Sequence, residues 1–232
     1  MMSTYEELCQ IVDSVLSDGM LSQARRRTKT DGSLVTDYDE KIEAAIVHFF
    51  QHLSDDLLII GEESLEGTEI PDSFHLKGKD FLIVDPIDGT ENFSYFSMLF
   101  GCAVSWRIDG AYGHMIYIPA QDLCIHTGNI SEQSYSGSII ELYSSFCLNE
   151  MNFARPQNVR VVGSSSWMMS QFLSGNVKSY TYCGGAKLWD CYTGLSLVAS
   201  IPDCQIILSN NRRFQDWKEE PTFKTKFTVR WI

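Results

Sequence analysis

The stretch that decides the fold is Asp85-Pro86-Ile87-Asp88-Gly89-Thr90-Glu91-Asn92-Phe93, directly after the apolar run Phe81-Leu82-Ile83-Val84. The run predicts a buried strand, and Pro86, which cannot donate a ladder hydrogen bond, is expected to end it. Gly89 and Thr90 would then present backbone N–H groups where a turn or helix begins, which suits a phosphate group. Acidic oxygens beside an anion site are favourable when cations lie between them. The motif therefore predicts magnesium together with a phosphate ester.

Composition and charge limit the class of protein. The chain has 232 residues and a formal net charge of −12, with a sequence pI of about 4.8. Such acidity disfavours nucleic acid as a partner, whereas a small phosphorylated molecule can still bind through metal ions. No apolar run reaches the length of a membrane span, and the first residues lack a secretion-signal pattern. We therefore expect a cytoplasmic protein with no membrane contact, and a homodimer is left open.

The cysteines and histidines indicate neither a disulfide framework nor a zinc site. Seven cysteines are scattered along the chain without a Cys-x-x-Cys pair. In a chain of this length such an odd set is typical of reduced, mostly buried thiols. None of the five histidines lies at zinc-ligand spacing from a cysteine or from another histidine.

Hydrophobic periodicity divides the chain into helices and strands. Helices are predicted at 4–17, 39–53, 166–174 and 186–199. Strands are predicted at 57–60, 81–84, 101–108, 111–118, 122–127, 137–143, 159–162, 177–182, 204–208 and 223–231. Hairpins come first and strand–helix alternation follows, so the fold class is mixed α/β (α+β). We expect a single domain over 1–232, built from an N-terminal α+β half (about 1–145) and a C-terminal α/β half (about 146–232).

Several charged residues have a structural interpretation as well as a functional one. Asp39 could cap a helix, Glu62 could be a solvated loop residue, and Asp190 could be a first-turn partner of the helix dipole. The basic stretch 25–32 is expected to be a solvated surface loop, although it could also lie beside an anionic ligand. The Asp85 motif makes the acidic positions look like one set rather than independent surface charges.

Three motifs together resemble a known family. Gly61-Glu62-Glu63-Ser64, the stretch from Asp85 to Phe93, and Trp189-Asp190 are similar, in order and spacing, to the signatures of the inositol monophosphatase family. The resemblance spans nearly the whole chain. It implies a layered αβαβα sandwich of the sugar and inositol phosphatase type, with the site between its two halves.

The resemblance also implies a set of metal ligands. Glu62 and Asp85 would hold one Mg²⁺ together with the backbone carbonyl of Ile87. A second Mg²⁺ would be held by Asp85, Asp88 and Asp190. Glu62 would contribute to a third, more loosely held ion. Without metal these four carboxylates would repel one another and raise one another's pKa.

The family pattern further implies how the substrate is held and attacked. Catalysis would belong to Asp39, Thr90 and Glu62, with Asp39 orienting the Thr90 hydroxyl so that a metal-bound water attacks in line. The phosphate-binding set would be Asp88, Gly89, Thr90 and Asp190. Two further candidates are Lys29 and Glu63. Lys29 would position a metal-bound water, and Glu63 would contact the metal ligands without binding the metal itself.

The predicted function is Mg²⁺-dependent hydrolysis of a small phosphorylated polyol or sugar, an inositol monophosphate first. The alternatives on the same fold are phosphatases acting on fructose 1,6-bisphosphate, histidinol phosphate or 3′-phosphoadenosine 5′-phosphate. A weakly catalytic member with a binding or regulatory role is an alternative from another class.

Two departures from the family pattern bear on the choice of substrate. Cys183 falls near the position where inositol-selective members present an acidic side chain, and Cys191-Tyr192-Thr193 replaces residues that are usually small.

Overall fold

Two five-stranded sheets organise the computed structural model, which describes residues 3–17, 24–95, 98–130, 134–149, 158–209 and 211–232. Its helices are α1 (Thr4–Ser17), α2 (Asp37–Gln51), α3 (Thr90–Ser94), α4 (Ser165–Leu173), α5 (Leu188–Val198) and α6 (Phe214–Glu219). Its strands are β1 (Arg26–Thr28), β2 (Leu34–Thr36), β3 (Leu58–Gly61), β4 (Phe81–Asp88), β5 (Gly101–Ile108), β6 (Ala111–Ile118), β7 (Leu123–His126), β8 (Glu141–Tyr143), β9 (Val159–Val161), β10 (Ser179–Lys187), β11 (Cys204–Leu208) and β12 (Lys224–Trp231). A short 3₁₀ helix covers Ser145–Asn149.

The first sheet has the strand order β3-β4-β5-β6-β7, with β3 parallel to β4 and the other neighbours antiparallel. β5 and β6 form the predicted hairpin, and Asp109 and Gly110 at its turn have φ of 49° and 83°. Two successive positive φ values are typical of a type I′ turn. All eight residues of β4 are buried, because alternate side chains face the separate apolar cores on the two sides of the sheet.

β4 continues through the acidic motif instead of ending at Pro86. Its pairing with β5 is regular as far as Asp85 opposite Ala103, becomes irregular, and returns with Asp88 opposite Gly101. Pro86 has no N–H to donate, so it interrupts the ladder locally without ending the strand. The prediction that Pro86 ends the strand is therefore wrong.

The second sheet has the order β11-β12-β10-β8-β9. Buried and exposed residues alternate along β12, which confirms the predicted half-exposed strand. β10 runs to Lys187, beyond the predicted 177–182. Its pairing with β12 is interrupted after Tyr182 and returns at Ala186, with Gly185 at φ 80° between them. This irregular segment leads directly into α5, which carries Asp190 in its first turn.

Helices and sheets alternate in layers. α1 and α2 pack on one face of the first sheet, while α4 and α5 lie between the two sheets. Tyr192 of α5 is fully buried, lies 5.8 Å from Phe81 between ring centroids, and donates a 3.3 Å hydrogen bond to the carbonyl of Lys218. The unusual tyrosine therefore fills the core. The layered α+β architecture is confirmed, while the single-domain organisation and its division near residue 145 stay predictions.

The second helix begins earlier than predicted. α2 starts at Asp37, and Thr36 is its N-cap: the Thr36 hydroxyl accepts from Tyr38 N–H. Asp39 is the third helical residue and accepts from the backbone N–H of Thr36 at 2.8 Å, which completes a capping box. The prediction that Asp39 opens this helix is wrong by two positions. Among the described residues no helix is both long and apolar enough to cross a membrane.

Two expectations about side chains also need correction. Cys147 and Cys183 form a disulfide, so the prediction of reduced thiols fails for this pair, while Cys9, Cys102, Cys124, Cys191 and Cys204 are free. Sequence spacing could not show this pair, because the two residues lie 36 positions apart. In the basic stretch, Arg26 and Arg27 are exposed as expected, but Lys29 is only 7% exposed.

Candidate active site

Three aspartates meet where β4 ends and α5 begins. Asp85 and Asp88 come from the irregular end of β4, and Asp190 comes from the first turn of α5. One carboxylate oxygen from each lies within 4.8 Å of the other two. Asp85 is 1% exposed, and its Oδ1 has no hydrogen-bond partner within the described part of the chain. A buried carboxylate oxygen without a partner is costly unless something positive binds it.

Burial raises the pKa values of all three aspartates, and neighbouring carboxylates add to the shift for Asp85 and Asp190. The pKa of Asp85 is raised well above its usual range, by burial first and then by the charges of Glu62, Asp88 and Asp190. Burial and the neighbouring Asp88 likewise raise the pKa of Asp190 well above its usual range. Burial raises the pKa of Asp88 to about 6, against hydrogen bonds that favour its charged form. The cluster is therefore unfavourable as three bare anions at neutral pH.

The N-terminus of α4 holds Asp88 in place. Oδ2 of Asp88 accepts from the Ser164 hydroxyl at 3.0 Å and from the backbone N–H of Ser166. Ser164 is also the N-cap of α4, where its hydroxyl accepts from Trp167 N–H at 3.1 Å. Sequence patterns did not indicate this contact, because Ser164 lies 76 positions from Asp88.

Asp39 and Thr90 meet as the family resemblance implied. The Thr90 hydroxyl lies 2.9 Å from Oδ1 of Asp39 and 3.0 Å from the carbonyl oxygen of Ile87, and either can accept its proton. Asp39 is 1% exposed, and burial raises its pKa to about 6 against the hydrogen bonds from Thr36 and Thr90. The carbonyl of Ile87, a predicted metal ligand, thus lies beside Thr90 at the end of β4.

Glu62 lines the same cavity but is not in the 4.8 Å carboxylate set. Its Oε1 accepts from Nζ of Lys29 at 3.0 Å, and Lys29 also donates to Oε1 of Glu63 at 2.7 Å. Burial raises the pKa of Glu63 to about 7, although Lys29 opposes the shift. Burial disfavours the charged form of Lys29, but Glu62 and Glu63 outweigh it and raise its pKa. Both predicted Glu residues are therefore held by one buried lysine.

Sequence reasoning missed Glu43, which supports this glutamate loop. Glu43 is 3% exposed and accepts from Glu63 N–H at 2.9 Å and from Ser64 N–H at 2.6 Å. A Cβ at Gly61 would collide with the Glu43 carboxylate, so the glycine makes room for this contact. The available signal was an acidic residue next to Ile42 on the apolar face of α2.

These groups open onto a cavity of about 250 Å³ between the two sheets. Its floor includes the three aspartates, Gly89 and Thr90. Gly89 has φ of 94°, and a Cβ there would lie 2.8 Å from Cβ of Ser164. Only glycine fits this close approach between the β4 motif and the start of α4. Phe146 from the 3₁₀ helix and Tyr182 from β10 also line the cavity, and no sequence motif predicted them.

The residues present fit a divalent cation. Mg²⁺ and Ca²⁺ take carboxylate, carbonyl and water oxygens as ligands. The three aspartates supply such oxygens at one point, where Asp85 Oδ1 has no partner among the described residues. A cation would offset both the mutual repulsion of the aspartates and the cost of burying that oxygen.

Comparison with known proteins finds a family match for the N-terminal part of the chain. Residues 2–113 match the family model described as the inositol monophosphatase family. A curated relative, the chloroplastic phosphatase IMPL1 of Arabidopsis thaliana, is 34% identical over 109 residues. That segment covers 46% of this chain and 28% of the relative, so the chain matches less than a third of that relative's length.

Solved structures share the whole described architecture. An IMPase of Thermotoga maritima has a TM-score of 0.73 at 18% identity, over 98% of this chain and 90% of that one. A Staphylococcal IMPase-I complexed with products has a TM-score of 0.72 at 13% identity, over 97% and 86%. An IMPase/NADP phosphatase complexed with NADP and Ca²⁺ has a TM-score of 0.71 at 14% identity, over 99% and 92%. The resemblance is therefore confirmed: residues 2–113 match the inositol monophosphatase family, and the described chain has the fold of the solved IMPases.

Proposed function

We propose that this protein is a divalent-metal-dependent phosphatase of small phosphate monoesters. The observation that carries the proposal is the buried, unpartnered Oδ1 of Asp85 beside Asp88 and Asp190, at the floor of an open cavity. An acidic cluster of this kind is poorly suited to stability alone and well suited to binding cations.

Each residue of the cavity floor then has a proposed role. Asp85, Asp88 and Asp190, with Glu62 and the carbonyl of Ile87 beside them, would hold two or three Mg²⁺ ions. When bound, the ions would neutralise the phosphate and stabilise the attacking and leaving oxygens of an in-line displacement.

The phosphate cradle and the proton path come from the chain itself. The backbone N–H groups of Gly89 and Thr90 would bind the phosphate. The Thr90 hydroxyl, which lies 2.9 Å from Asp39, would orient the attacking water and hold its proton towards that carboxylate. Lys29 would fix the positions of Glu62 and Glu63, since it contacts both.

Inositol monophosphate is the reference substrate for a first test. The family description names it, and one similar solved structure is a Staphylococcal IMPase-II with inositol monophosphate bound. A regulatory member with little catalysis would keep the fold while lacking turnover. The acidic cluster and the Asp39–Thr90 contact favour the catalytic proposal.

The test is phosphate release from inositol 1-phosphate and a panel of small monoesters, with millimolar Mg²⁺ and with excess chelator. We expect release that requires Mg²⁺ and is lost in Asp88→Asn, which removes one charge from the cluster at nearly constant size. The control is Asp56→Asn, an exposed aspartate outside the cavity. Release that persists in chelator, or in Asp88→Asn, would contradict the metal assignment, and no release from any ester would contradict the phosphatase proposal.

A further inference from the structure

One wall of the cavity is aromatic. Phe146, from the 3₁₀ helix that follows β8, and Tyr182, from β10, lie with ring centroids 5.9 Å apart and both line the cavity. Phe146 is 55% exposed, whereas most phenylalanine residues are buried. An exposed aromatic ring inside a cavity that also holds the acidic cluster is available to a ligand.

The backbone holds the Phe146 ring in this position. A Cβ at Gly184 would collide with the ring, so the ring lies directly against the β10 backbone on that side. The next residue after Phe146, Cys147, is bonded to Cys183, which neighbours Gly184. The Cys147 N–H also donates to the carbonyl of Ser144 at 3.0 Å. A ring held in this way is preorganised to bind a partner with little loss of side-chain entropy.

Part of the hydrogen-bonding capacity beside Phe146 is already used within the protein. The hydroxyl of Ser144 already accepts from Cys183 N–H at 3.3 Å. A ligand hydroxyl placed against the Phe146 ring would lose water without gaining a hydrogen bond from the ring, whereas a planar ring would gain contact area there.

The charges of the cavity limit the ligand further. Among the described residues that line it there is no Lys, Arg or His, and besides the three aspartates the charged lining residues are Glu62 and Glu91. A second phosphate on the ligand would find no cation there and would meet the carboxylate of Glu91. A bisphosphate is therefore disfavoured, whereas an uncharged or cationic ligand is not.

We propose that the substrate of this site is a monophosphate ester whose alcohol carries a planar aromatic or heteroaromatic ring that stacks on Phe146. The inference rests on the proposed phosphatase function and narrows its substrate class, from small phosphate esters in general to aromatic monophosphates. Phe146 is then a residue that determines specificity, while the chemistry stays with the acidic cluster.

The test compares two substrates that differ in the ring alone: benzyl phosphate and cyclohexylmethyl phosphate. Both have apolar six-membered rings on a primary alcohol, so a simple hydrophobic effect treats them alike. Because aromatic pairs add to area burial, we expect kcat/KM about 2- to 12-fold higher for benzyl phosphate. Inositol 1-phosphate and fructose 1,6-bisphosphate should both fall below benzyl phosphate.

Two variants assign the preference to Phe146. Phe146→Leu keeps an apolar side chain without a ring, and we expect the benzyl-to-cyclohexylmethyl ratio to fall to about 1. Gly184→Ala keeps Phe146 but adds a Cβ that would displace its ring, so this variant should also lower the benzyl-to-cyclohexylmethyl ratio. The control is Tyr112→Leu, which removes a 46% exposed aromatic ring outside this cavity and should leave the ratio unchanged.

A wild-type ratio near 1, or a ratio that Phe146→Leu leaves unchanged, would overturn the inference while leaving the phosphatase proposal intact. Absence of turnover on every ester in Mg²⁺ would instead count against the phosphatase proposal. In that case calorimetric binding of benzylphosphonate and cyclohexylmethylphosphonate in the presence of Mg²⁺ still decides the inference. Equal affinities, or no binding of either, would overturn it, and tighter benzylphosphonate binding that is lost in Phe146→Leu would support it.

Discussion

The hydroxyl of Thr90 donates to the carboxylate of Asp39 over 2.9 Å, although the two residues are 51 positions apart. The other oxygen of the same carboxylate accepts from the backbone N–H of Thr36 at 2.8 Å and so stabilises the start of α2. One carboxylate therefore serves both a helix terminus and a hydroxyl at the cavity floor. The structural and the functional interpretations of Asp39 are compatible. Substitution of Asp39 should lower stability under the first and kcat under the second.

We expect Asp39→Asn and Thr90→Ala each to lower kcat by at least about 10², because each removes part of a proton path. The double variant should be little worse than either single one, since residues that act as a unit are not additive. Loss of the helix cap alone would cost only about 1 kcal/mol of stability in Asp39→Asn. A double-mutant cycle on kcat, with thermal melts of each variant, separates loss of the proton path from loss of the helix cap. Thr90→Ser keeps the hydroxyl and serves as control. Near-parent kcat in Asp39→Asn with only a lower melting point would leave Asp39 as a helix cap.

Mg²⁺ should raise the melting temperature of the metal-free protein. The reason is that burial raises the pKa values of Asp85, Asp88 and Asp190, repulsion adds to the shift at Asp85 and Asp190, and a bound cation would offset both costs. A ligand that binds only the folded state stabilises it by about 2.7 kcal/mol at 100 times its Kd. The measurement is a thermal melt in chelator and in millimolar Mg²⁺. Asp88→Asn should show a smaller shift than the parent, and the exposed Asp56→Asn the same shift. Identical melts with and without Mg²⁺ would argue against a metal site.

Lys29→Gln should destabilise the metal-free protein far more than Arg27→Gln, although both lysine and arginine pair with two glutamates. The side chains of Lys29 and Glu63 are 4% and 8% exposed, so breaking their pair leaves a buried charge, at a cost of about 3–5 kcal/mol. The Arg27 and Glu40 side chains are 50% and 54% exposed, and such pairs contribute about 0–1 kcal/mol. Urea unfolding in chelator at pH 8 measures the loss of stability in each variant.

The loss should also depend on pH. Because the pKa of Glu63 is already raised to about 7, acidification to pH 5 neutralises Glu63 and should reduce the loss of stability in Lys29→Gln. Equal losses for the two variants would contradict the burial argument.

His114 should make stability fall on acidification. It is 3% exposed, its Nδ1 lies 2.9 Å from the Ser105 hydroxyl, and burial together with the nearby Lys218 lowers its pKa from 6.5 to about 3. Between these two values the unfolded chain binds a proton that the folded protein does not. Stability from this group is therefore complete above about pH 6.5 and falls by up to about 1.4 kcal/mol per pH unit below it.

The measurement is urea unfolding of the parent and of His114→Gln from pH 7.5 to pH 4.5. Subtracting the two curves removes the contribution of the acidic cluster, which both proteins share. The parent should lose more stability than the variant over this range. Parallel curves would mean that His114 does not titrate as its burial predicts.

Local patterns were enough for many elements of the fold. α1 was predicted at its observed limits because apolar residues at helical spacing specify a helix within a few turns. β5 and β6 were predicted at their observed limits because each is an apolar-rich run of strand length. α6 was missed, since its six residues are too few to show a helical period. The strand end at Pro86 was wrong because pairing with β5 resumes beyond the proline.

The sequence by itself determined which side chains the proposal assigns to the chemistry. Asp85, Asp88 and Thr90 lie within six residues at the end of β4 and the start of α3, so the chain itself keeps them close together. The tertiary structure alone decided what surrounds them. Glu43 behind the glutamate loop and Phe146 on the cavity wall reach the site from distant elements, through contacts that no local pattern encodes. The physical reason is that dihedral preferences and periodicity act over a few residues, whereas burial, charge repulsion and packing depend on which segments the fold brings together.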